Sequence, residues 1–366
     1  MNKSENFRNE TRAWLAENCP AGARGDGQIP WGSTKVELNA DSKLWLESMA
    51  ERGWTVPTWP VEYGGAGLDK DLYPILIDEL KRINARTPLT GRGVNYIGPT
   101  ILEMGTDDQK ARWLPGIARG EGGWAMGYSE PGAGSDLASL ACKAELKGDH
   151  YILNGRKVWT SDAMDCDYIF VLARTNPTAP QHLGISLILV DMSQPEVAVT
   201  PVRLLSGASP FNETNFENAI APANDVIGGV NNGWTVGKRL LQFERSTHAG
   251  INTSGSQGGR SSDSPLPKQV QQYSPLVNGQ IADATLRLRL LNHQMAFTAQ
   301  RLTQKRVIEE TAASAPGFAS SAVKLSNALI TQEGDEILVA AMGTQGIGWE
   351  TIGFKTQEID ATRDWL

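Results

Sequence analysis

The sequence predicts an α+β protein with an N-terminal helical domain, a middle antiparallel β-domain and a C-terminal helical bundle. Two changes in the spacing of apolar residues predict this order. Apolar residues recur at helical intervals over 1–122, in short strand-like runs over 123–230, and at helical intervals again over 231–366. Of the 366 residues, 40% are apolar, which is ample material for cores of this extent.

The first two domains carry different local signals. The first is predicted from four amphipathic segments that Gly and Pro close: ETRAWLAENC, SKLWLESMAERG, LYPILIDELKRIN and GPTILEMGTDDQKARWLPGIARG. The second is predicted from six short strands: CKAELKG, HYILNGRKVWTS, DYIFVLARTN, GISLILVDM, VAVTPVRLL and ETNFENAIAP. Gly148-Asp149 and Asn154-Gly155 are typical turn dipeptides, which favours an antiparallel sheet or small barrel over helical crossovers.

The third domain is predicted from a helical stripe that a bundle would bury. The residues of this stripe are Ile281, Ala284, Leu288, Leu291, Met295 and Leu302. Before it, the Ser/Gly-rich stretch 252–267 is predicted to form a mobile loop.

Composition narrows the classes of partner and compartment. A net charge of −7 and a pI near 5.3 argue against nucleic acid or an anionic membrane as the main partner. The N-terminus lacks the apolar core of a signal peptide, and no apolar run reaches about eighteen residues, so we expect a cytoplasmic protein without a membrane segment. Cys19, Cys142 and Cys166 are widely spaced and predict buried thiols, and the four histidines suggest no metal site.

The stretch GYSEPGAGSDLA at 127–138 is the first candidate for function. Its small residues would let backbone N–H groups approach a planar ring system closely, at the junction of two domains where cofactor clefts are common. A tight turn between strands explains the same residues about equally well on spacing alone. The stretch is not a GxGxxG fingerprint, because no strand-loop-helix unit surrounds it.

Together with a second stretch, this loop resembles the flavin site of the acyl-CoA dehydrogenase family. In that family a TEPGAGSD-like loop and a KxWxT-like or KxWxS-like strand end hold the flavin, and KVWTS at 157–161 matches the second motif. Further motifs in the same order extend the resemblance over nearly the whole chain: PVEYGGAG at 60–67, MGTDDQKARWLPGIARGE at 104–121, FNETNFENAIAP at 211–222, NNGWTVGKRLLQFER at 231–245 and MGTQGIG at 342–348.

The resemblance implies that FAD is the cofactor. The residues it implies for binding FAD are Tyr128, Ser129, Gly134, Ser135, Trp159, Thr160 and Ser161. Ser129 would donate where the family more often has threonine, Ser135 would also border the thioester arm of the substrate, and Ser161 would reach the N5 edge. A buried tryptophan is usually a core residue, and only the adjacent Ser161 makes the flavin role of Trp159 the better interpretation.

Glu244 is the candidate catalytic base. The family reaction needs a carboxylate that removes the proton α to a thioester while a hydride leaves the β-carbon for flavin. Glu244 follows Leu240 and Leu241 by one helical turn, on an apolar side where desolvation is expected to raise its pKa. The alternative is an ion pair with Lys238 or Arg239.

Family branches differ in the position of the base. In isovaleryl- and long-chain acyl-CoA dehydrogenases the base is the Glu of a helical Glu-Arg pair, which supports Glu244 and makes Arg245 a candidate substrate contact. The other branch places its base in a C-terminal segment that would follow Leu366. That segment also contributes to FAD binding.

Two family motifs are altered. The Arg-x-x-Phe-Gly motif is missing, and in Gln-x-x-Gly-Gly the residues Ala340 and Thr344 replace the Gln and the second Gly. Both motifs normally reach the FAD of a neighbouring subunit. In lacking them, the chain resembles the large subunits of pimeloyl-CoA and steroid-side-chain acyl-CoA dehydrogenases. We therefore expect a hetero-oligomer of two such chains with two related subunits, the alternative being a homo-oligomer that binds FAD through other residues.

The sequence thus leaves three functions open. The first is α,β-dehydrogenation of a bulky or dicarboxylic acyl-CoA with transfer of electrons to an electron-transfer flavoprotein. The second is a non-catalytic partner subunit of a heteromeric dehydrogenase. The third is an oxidase or flavin monooxygenase on the same fold. The retained flavin motifs favour the first, and the lost adenosine motifs favour the second.

Overall fold

The computed structural model describes residues 3–25, 27–33, 35–69, 71–248, 264–312 and 319–366. These residues form two compact units. The first comprises the described residues up to Val202 together with Ser209–Glu244, and the second comprises Arg203–Ala208 with the described residues after Glu244. None of the described helices is long and apolar enough to cross a membrane.

The first unit begins with the predicted helices. They are α1 (Lys3–Asn18), α2 (Ala40–Glu51), α3 (Tyr73–Arg82), α4 (Gly98–Met104) and α5 (Asp107–Arg119), and a π-helical turn at Gly93–Ile97 leads into α4. Thr106 and Gln109 form a reciprocal capping box at the start of α5. Glu79 on α3 is buried and binds Arg12 of α1, which is the main reason that its pKa falls to about 2. An ion pair between this buried carboxylate and the half-exposed Arg12 thus joins α1 to α3.

An eight-stranded sheet follows in the same unit. Its strands are β1 (Trp124–Gly127), β2 (Lys143–Lys147), β3 (His150–Ser161), β4 (Tyr168–Arg174), β5 (Ile185–Asp191), β6 (Val197–Val202), β7 (Phe211–Pro222) and β8 (Val226–Ile227). The order is β6-β7-β3-β2-β4-β5-β8, with β1 paired to β4. All pairs are antiparallel except β1 with β4 and β2 with β4, so the predicted antiparallel domain is confirmed.

One of the two predicted turns is correct. Gly148 adopts a left-handed φ of 65° between β2 and β3. The predicted turn at Asn154-Gly155 is wrong, because these residues lie inside β3 and pair with Glu217 and Phe216. Gly155 keeps a positive φ of 149° within the strand, and opposite it on β7 the bulge residue Asn218 has no ladder partner and a φ of 60°. All three cysteines are free and buried, as predicted.

Helix α6 (Gly233–His248) follows, and its residues up to Glu244 belong to the first unit. A Cβ on Gly233 would lie 2.5 Å from backbone atoms of Ser186, so only glycine lets the helix start directly on β5. Val236 and Leu240 on α6 are completely buried. The described part of α6 is therefore held against the sheet along one face.

The second unit consists mainly of helices. They are α7 (Leu266–Gln271), α8 (Ala284–Ala312), α9 (Ala319–Met342) and α10 (Thr356–Trp365), with a short hairpin of β9 (Leu276–Val277) and β10 (Gln280–Ile281) before α8. The predicted loop at 252–267 lies outside the described residues up to 263, and its last two residues begin α7.

The predicted burial of the α8 stripe is wrong beyond Ile281. Leu288, Leu291, Met295 and Leu302 are each more than half exposed. The face that packs on α9 instead carries His293 and Gln300, whose side chains bond backbone carbonyls of α9 at 3.0 Å and 3.2 Å. Apolar periodicity misassigned the faces because two polar residues on the inner face find partners on another helix.

Candidate functional site

The loop after β1 combines a buried anchor with an open surface. Tyr128 is buried, and backbone bonds between Glu130 and Ala133 close a tight turn. Gly134 and Ser135 lie exposed beyond this turn, and apart from its chain neighbours no described residue has an atom within 4 Å of the position a Cβ would take on Gly134. The predicted tight turn is confirmed, and the open backbone beyond it is compatible with the predicted planar ligand, whose binding stays a prediction.

The end of β3 lies directly beside this loop. The backbone N–H of Val158 donates to the carbonyl of Ser129 at 2.9 Å instead of to β7. Lys157 is completely buried and its ammonium donates to the Tyr128 carbonyl at 3.0 Å. The two motifs that the sequence singled out therefore form one continuous surface.

Trp159 occupies an unusual backbone conformation. It has a φ of 60°, and the residue is 57% exposed although folded proteins normally bury most of a tryptophan. The ring of Phe211 meets it edge-on at 5.9 Å. Ser161 is half-buried, whereas the side chain of Thr160 is completely buried and points into the sheet.

Helix α6 passes close to the buried tyrosine of the loop. A Cβ on Gly237 would lie 3.4 Å from the Tyr128 hydroxyl. Glu244, two turns further along α6, is half-buried. Burial, and then the negative charge of Glu244, raise the pKa of Tyr128, so the carboxylate lies within electrostatic reach of the loop.

Tyr96 is a neighbour of Glu244 that sequence reasoning missed. It lies on the π-helical turn and packs against the apolar cluster that contains Leu240 and Tyr128. Burial, and then the charge of Glu244, raise its pKa to about 12. The only local signal was the pair of glycines that bracket this turn, Gly93 and Gly98, and such π-helical turns are frequent at functional sites.

The π-helical turn is tied to the end of β3. Arg92 precedes the turn and donates to the carboxylate of Asp162 at 3.0 Å. Asp162 follows Ser161 directly and has a left-handed φ of 57°. The site therefore has three walls: the loop after β1, the end of β3, and the π-helical turn next to α6.

Two arginines of α6 were given roles near Glu244, Arg239 as an alternative ion-pair partner and Arg245 as a substrate contact. Arg239 binds Glu103 on α4 through three contacts of 2.7–2.9 Å, so this arginine has a carboxylate partner on another helix. Arg245 is exposed and falls in the second unit, so its contact with substrate stays a prediction.

The residues of these walls fit a planar, polar-edged ligand such as a flavin. The Tyr128 hydroxyl is buried and has no hydrogen-bond partner among the described residues. An exposed aromatic ring on a left-handed residue is the kind of strained feature that clusters at ligand sites. Among the described residues no three His, Cys, Asp or Glu side chains are grouped to hold a metal ion.

Comparison with known proteins relates this geometry to one family. The model of the acyl-CoA dehydrogenase N-terminal domain matches residues 2–121, and that of the middle domain matches residues 125–219. Acyl-CoA dehydrogenase IpdE1 of Mycobacterium tuberculosis is 38% identical over 257 residues, which cover 70% of this chain and 66% of that protein. IpdE1 of Mycolicibacterium smegmatis is 34% identical over 316 residues, which cover 82% of this chain and 77% of that protein.

Solved structures share the fold over almost the whole chain. The structure described as the Tcur3481-Tcur3483 steroid ACAD superimposes with a TM-score of 0.71 at 28% identity. The match covers 99% of this chain and 91% of the other chain. The ChsE4-ChsE5 complex from Mycobacterium tuberculosis has a TM-score of 0.69 at 26% identity and covers 100% of this chain and 91% of its own.

Proposed function

The chain belongs to the acyl-CoA dehydrogenase family, and from this membership we propose that it catalyses the FAD-dependent α,β-dehydrogenation of an acyl-CoA thioester. The observation that carries the proposal is the close approach of α6 to the loop after β1, where a Cβ on Gly237 would lie 3.4 Å from the Tyr128 hydroxyl. It links a candidate base on α6 with the loop that the family uses for its flavin. A proton acceptor and a cofactor surface on the same unit are what this reaction requires.

Each wall of the site has a defined role in this proposal. Ser129 and the backbone at Gly134 and Ser135 hold the ring system, Trp159 covers one of its edges, and Ser161 donates to it. Bound FAD would supply the acceptor for the hydride that leaves the substrate β-carbon. Glu244 takes the proton from the α-carbon, and the apolar residues around Tyr96 keep water away from that carboxylate.

The role of Glu244 is tested by Glu244→Gln. Glutamine keeps the shape and hydrogen bonding of the side chain but cannot take a proton, so turnover should fall by about 10²-fold or more with acyl-CoA affinity largely kept. Glu62→Gln, which removes an exposed carboxylate elsewhere, is the control. Turnover within a few-fold of the parent enzyme would exclude Glu244 as the base.

The cofactor surface is tested separately with Trp159→Ala combined with Ser161→Ala. This double variant removes the aromatic edge and one donor, and we expect it to purify with less flavin than the parent. The flavin content is read from the visible absorption spectrum, and circular dichroism checks the fold. A folded double variant with unchanged flavin content would remove the site assignment.

We further propose that the chain works with a related second subunit, in an α2β2 assembly. Ala340 and Thr344 stand where the family motif for a neighbour's FAD has other residues, so a partner is needed to contact the phosphates and adenosine. The ChsE4-ChsE5 structure is described as a complex. The apolar residues Leu288, Leu291, Met295 and Leu302 of α8, with Leu325 and Leu329 of α9, are more than half exposed and offer a surface for such a partner.

The assembly is tested by the mass and flavin stoichiometry of the chain purified alone and with an acyl-CoA dehydrogenase-like partner. One FAD per pair of chains, and only in the mixed complex, is expected. An active chain that holds one FAD per subunit by itself would exclude the hetero-oligomer. An electron-transfer flavoprotein is the proposed acceptor, and oxygen consumption without it would instead identify an oxidase.

A non-catalytic partner subunit is the second candidate, and the altered residues Ala340 and Thr344 are the observation that favours it. We propose a bulky acyl group for the catalytic function, since the similar Tcur3481-Tcur3483 protein is described as a steroid ACAD. Single-turnover reduction of the flavin by a steroid side-chain acyl-CoA in the mixed complex distinguishes the two functions. Loss of that reduction in Glu244→Gln assigns the catalysis to this chain.

A further inference from the structure

The bulge that exposes Trp159 is an irregularity of the β3–β7 pair. Lys157 pairs with Thr214 and Thr160 pairs with Asn212, so Val158 and Trp159 together face the single residue Glu213. A β-bulge of this kind leaves its extra residue without a ladder partner and turns its side chain to a new direction. Here the bulge places a tryptophan on the surface with a left-handed backbone.

The left-handed backbone of Trp159 must be held in place by its surroundings, because a bulky residue is strained in that region. The support on one side is Lys157. Its ammonium is buried, donates to Glu130 at 2.8 Å and to the Tyr128 carbonyl at 3.0 Å, and so fixes the strand just before the bulge. The carboxylate of Glu130 in turn accepts the backbone N–H groups of Ala141 and Cys142 at 2.7 Å and 3.0 Å.

The support on the other side is Asn212. It is 1% exposed, and its amide donates to the carbonyl of Thr160 at 3.1 Å, directly after the bulge. The next residue pair, Ser161 with Phe211, restores the ladder and places the Phe211 ring against Trp159. Buried polar groups therefore bracket Trp159 on both sides.

We propose that Lys157 and Asn212 are positioning residues that hold the Trp159 bulge and so fix the aromatic edge of the cofactor surface. The inference rests on the proposed flavin site. Neither residue reaches the open face itself, since both side chains are buried within the sheet. Lys157 also contacts the flavin loop through the Tyr128 carbonyl, so the test must separate an effect that passes through Trp159 from one that passes through the loop.

The variants are chosen to remove one support at a time without leaving a buried charge unpaired. Asn212→Leu removes the amide donor at similar size. Glu130→Gln with Lys157→Met removes both charges together, because removing one partner alone is strongly destabilising. Asn18→Leu is the matched control, since Asn18 makes the same amide-to-carbonyl bond at 2.9 Å, with Trp14 on α1.

Two measurements are made on the chain in its purified assembly. Titration with FAD should show a dissociation constant raised by about tenfold or more in each support variant and unchanged in Asn18→Leu, the tenfold corresponding to about one lost buried hydrogen bond. In a Trp159→Ala background the same substitutions should add no further loss, because coupled residues are not additive. A dissociation constant within twofold of the parent, or an equal loss in the Trp159→Ala background, overturns the proposal.

The second measurement does not depend on the cofactor. Tryptophan is replaced by 5-fluorotryptophan, and the ¹⁹F resonance of Trp159 is assigned with Trp159→Phe. We expect this resonance to shift or broaden in the folded support variants and to stay unchanged in Asn18→Leu. If the parent binds no FAD, the proposed flavin site fails, and an unchanged Trp159 resonance in the support variants separately overturns the positioning role. Should one support variant not fold, the other decides.

Discussion

The pairing of β3 with β7 contains two bulges, one with Trp159 on β3 and one with Asn218 on β7. The two residues differ in how well they suit the same backbone conformation. Asn218 and Trp159 have the same left-handed φ of 60°. Asparagine is a residue that tolerates this region, and Asn218 exchanges hydrogen bonds with Asn154 across the strands at 2.9 Å and 3.2 Å. Tryptophan does not suit the region, and its bulge is bracketed by the buried groups of Lys157 and Asn212.

The difference teaches where to look for function in an irregular sheet. At Asn218 the residue matches its own backbone, so the bulge is explained by local chemistry. At Trp159 the residue conflicts with its backbone, and the surrounding sheet supplies the compensation. Conflict of this kind is expected where a side chain is held for a ligand and not for stability.

The largest difference in the free energy of unfolding is expected between substitutions of the side chains that support each bulge. Lys157→Met leaves Glu130 as an unpaired buried carboxylate and should lower the free energy of unfolding by about 3–5 kcal/mol. Asn154→Ala, at the exposed bulge, should lower it by about 0.5 kcal/mol or less. Urea titrations at pH 7 give both values. A loss below about 1 kcal/mol for Lys157→Met would mean that the pair contributes little.

The sequence predicted the elements here but not the bulges. The alternating residues of HYILNGRKVWTS give β3 its correct length, since alternation is a local signal. The extra residue of a bulge leaves this pattern unchanged, so the bulge is recognised only when the pairing with the neighbouring strand is known. Asn154-Gly155 was wrongly predicted as a turn because a turn dipeptide is also a local signal. Only the pairing with β7 places these residues inside a strand.

Long-range partners explain the remaining misses. Lys157 in a strand has the composition of a surface position, and only Glu130, 27 residues earlier, makes its burial understandable. The inner face of α8 was missed for a similar reason. His293 and Gln300 on that face are polar, and their partners are carbonyls of another helix, α9. The loop at 127–138 was selected for its small residues and KVWTS at 157–161 for its resemblance to a family motif, and the role of both in flavin binding stays a prediction.

A substitution that relieves strain should separate stability from cofactor binding. Trp159→Gly removes the left-handed strain, and this gain offsets the lost contact with Phe211 and the greater chain entropy of glycine. The free energy of unfolding should therefore change by less than about 1 kcal/mol. Flavin affinity should nevertheless fall by about tenfold or more.

The measurements for this variant are urea unfolding and FAD titration on the same preparation. Asn218→Gly is the control and should leave flavin affinity unchanged. A Trp159→Gly protein that is destabilised by several kcal/mol but binds FAD normally would show that the tryptophan serves the fold.

Lowering the pH should reduce the stability that the Glu130–Lys157 pair contributes at the Trp159 bulge and should have no such effect at the Asn218 bulge. Burial alone would raise the pKa of Glu130, but the Lys157 ammonium and two backbone N–H groups outweigh it and hold the pKa below its ordinary value. A carboxyl group with a depressed folded-state pKa contributes stability above its unfolded-state pKa and loses it as the pH falls through the folded-state value.

The comparison uses the parent and the Glu130→Gln, Lys157→Met double variant, since only the parent has this carboxyl group. The difference in their free energies of unfolding should be constant near neutral pH and should shift in favour of the double variant as the solution becomes acidic. Asn154→Ala should show no such trend relative to the parent, because it removes no titratable group. A difference that is independent of pH down to the acid range would contradict an ionised Glu130 at this bulge.

The smallest effect is expected at the tip of the exposed bulge. Asn218→Gly removes the side-chain bond with Asn154 and increases the entropy of the unfolded chain, but glycine adopts a φ of 60° without steric cost. These terms nearly cancel, so the free energy of unfolding should stay within about 0.5 kcal/mol of the parent. Asn218→Val, which forces a β-branched residue into the left-handed region, should lose about 1–3 kcal/mol. Thermal and urea unfolding of the two variants decide the matter: if valine is tolerated as well as glycine, the backbone at Asn218 is not strained for larger residues, and the contrast with Trp159 loses its basis.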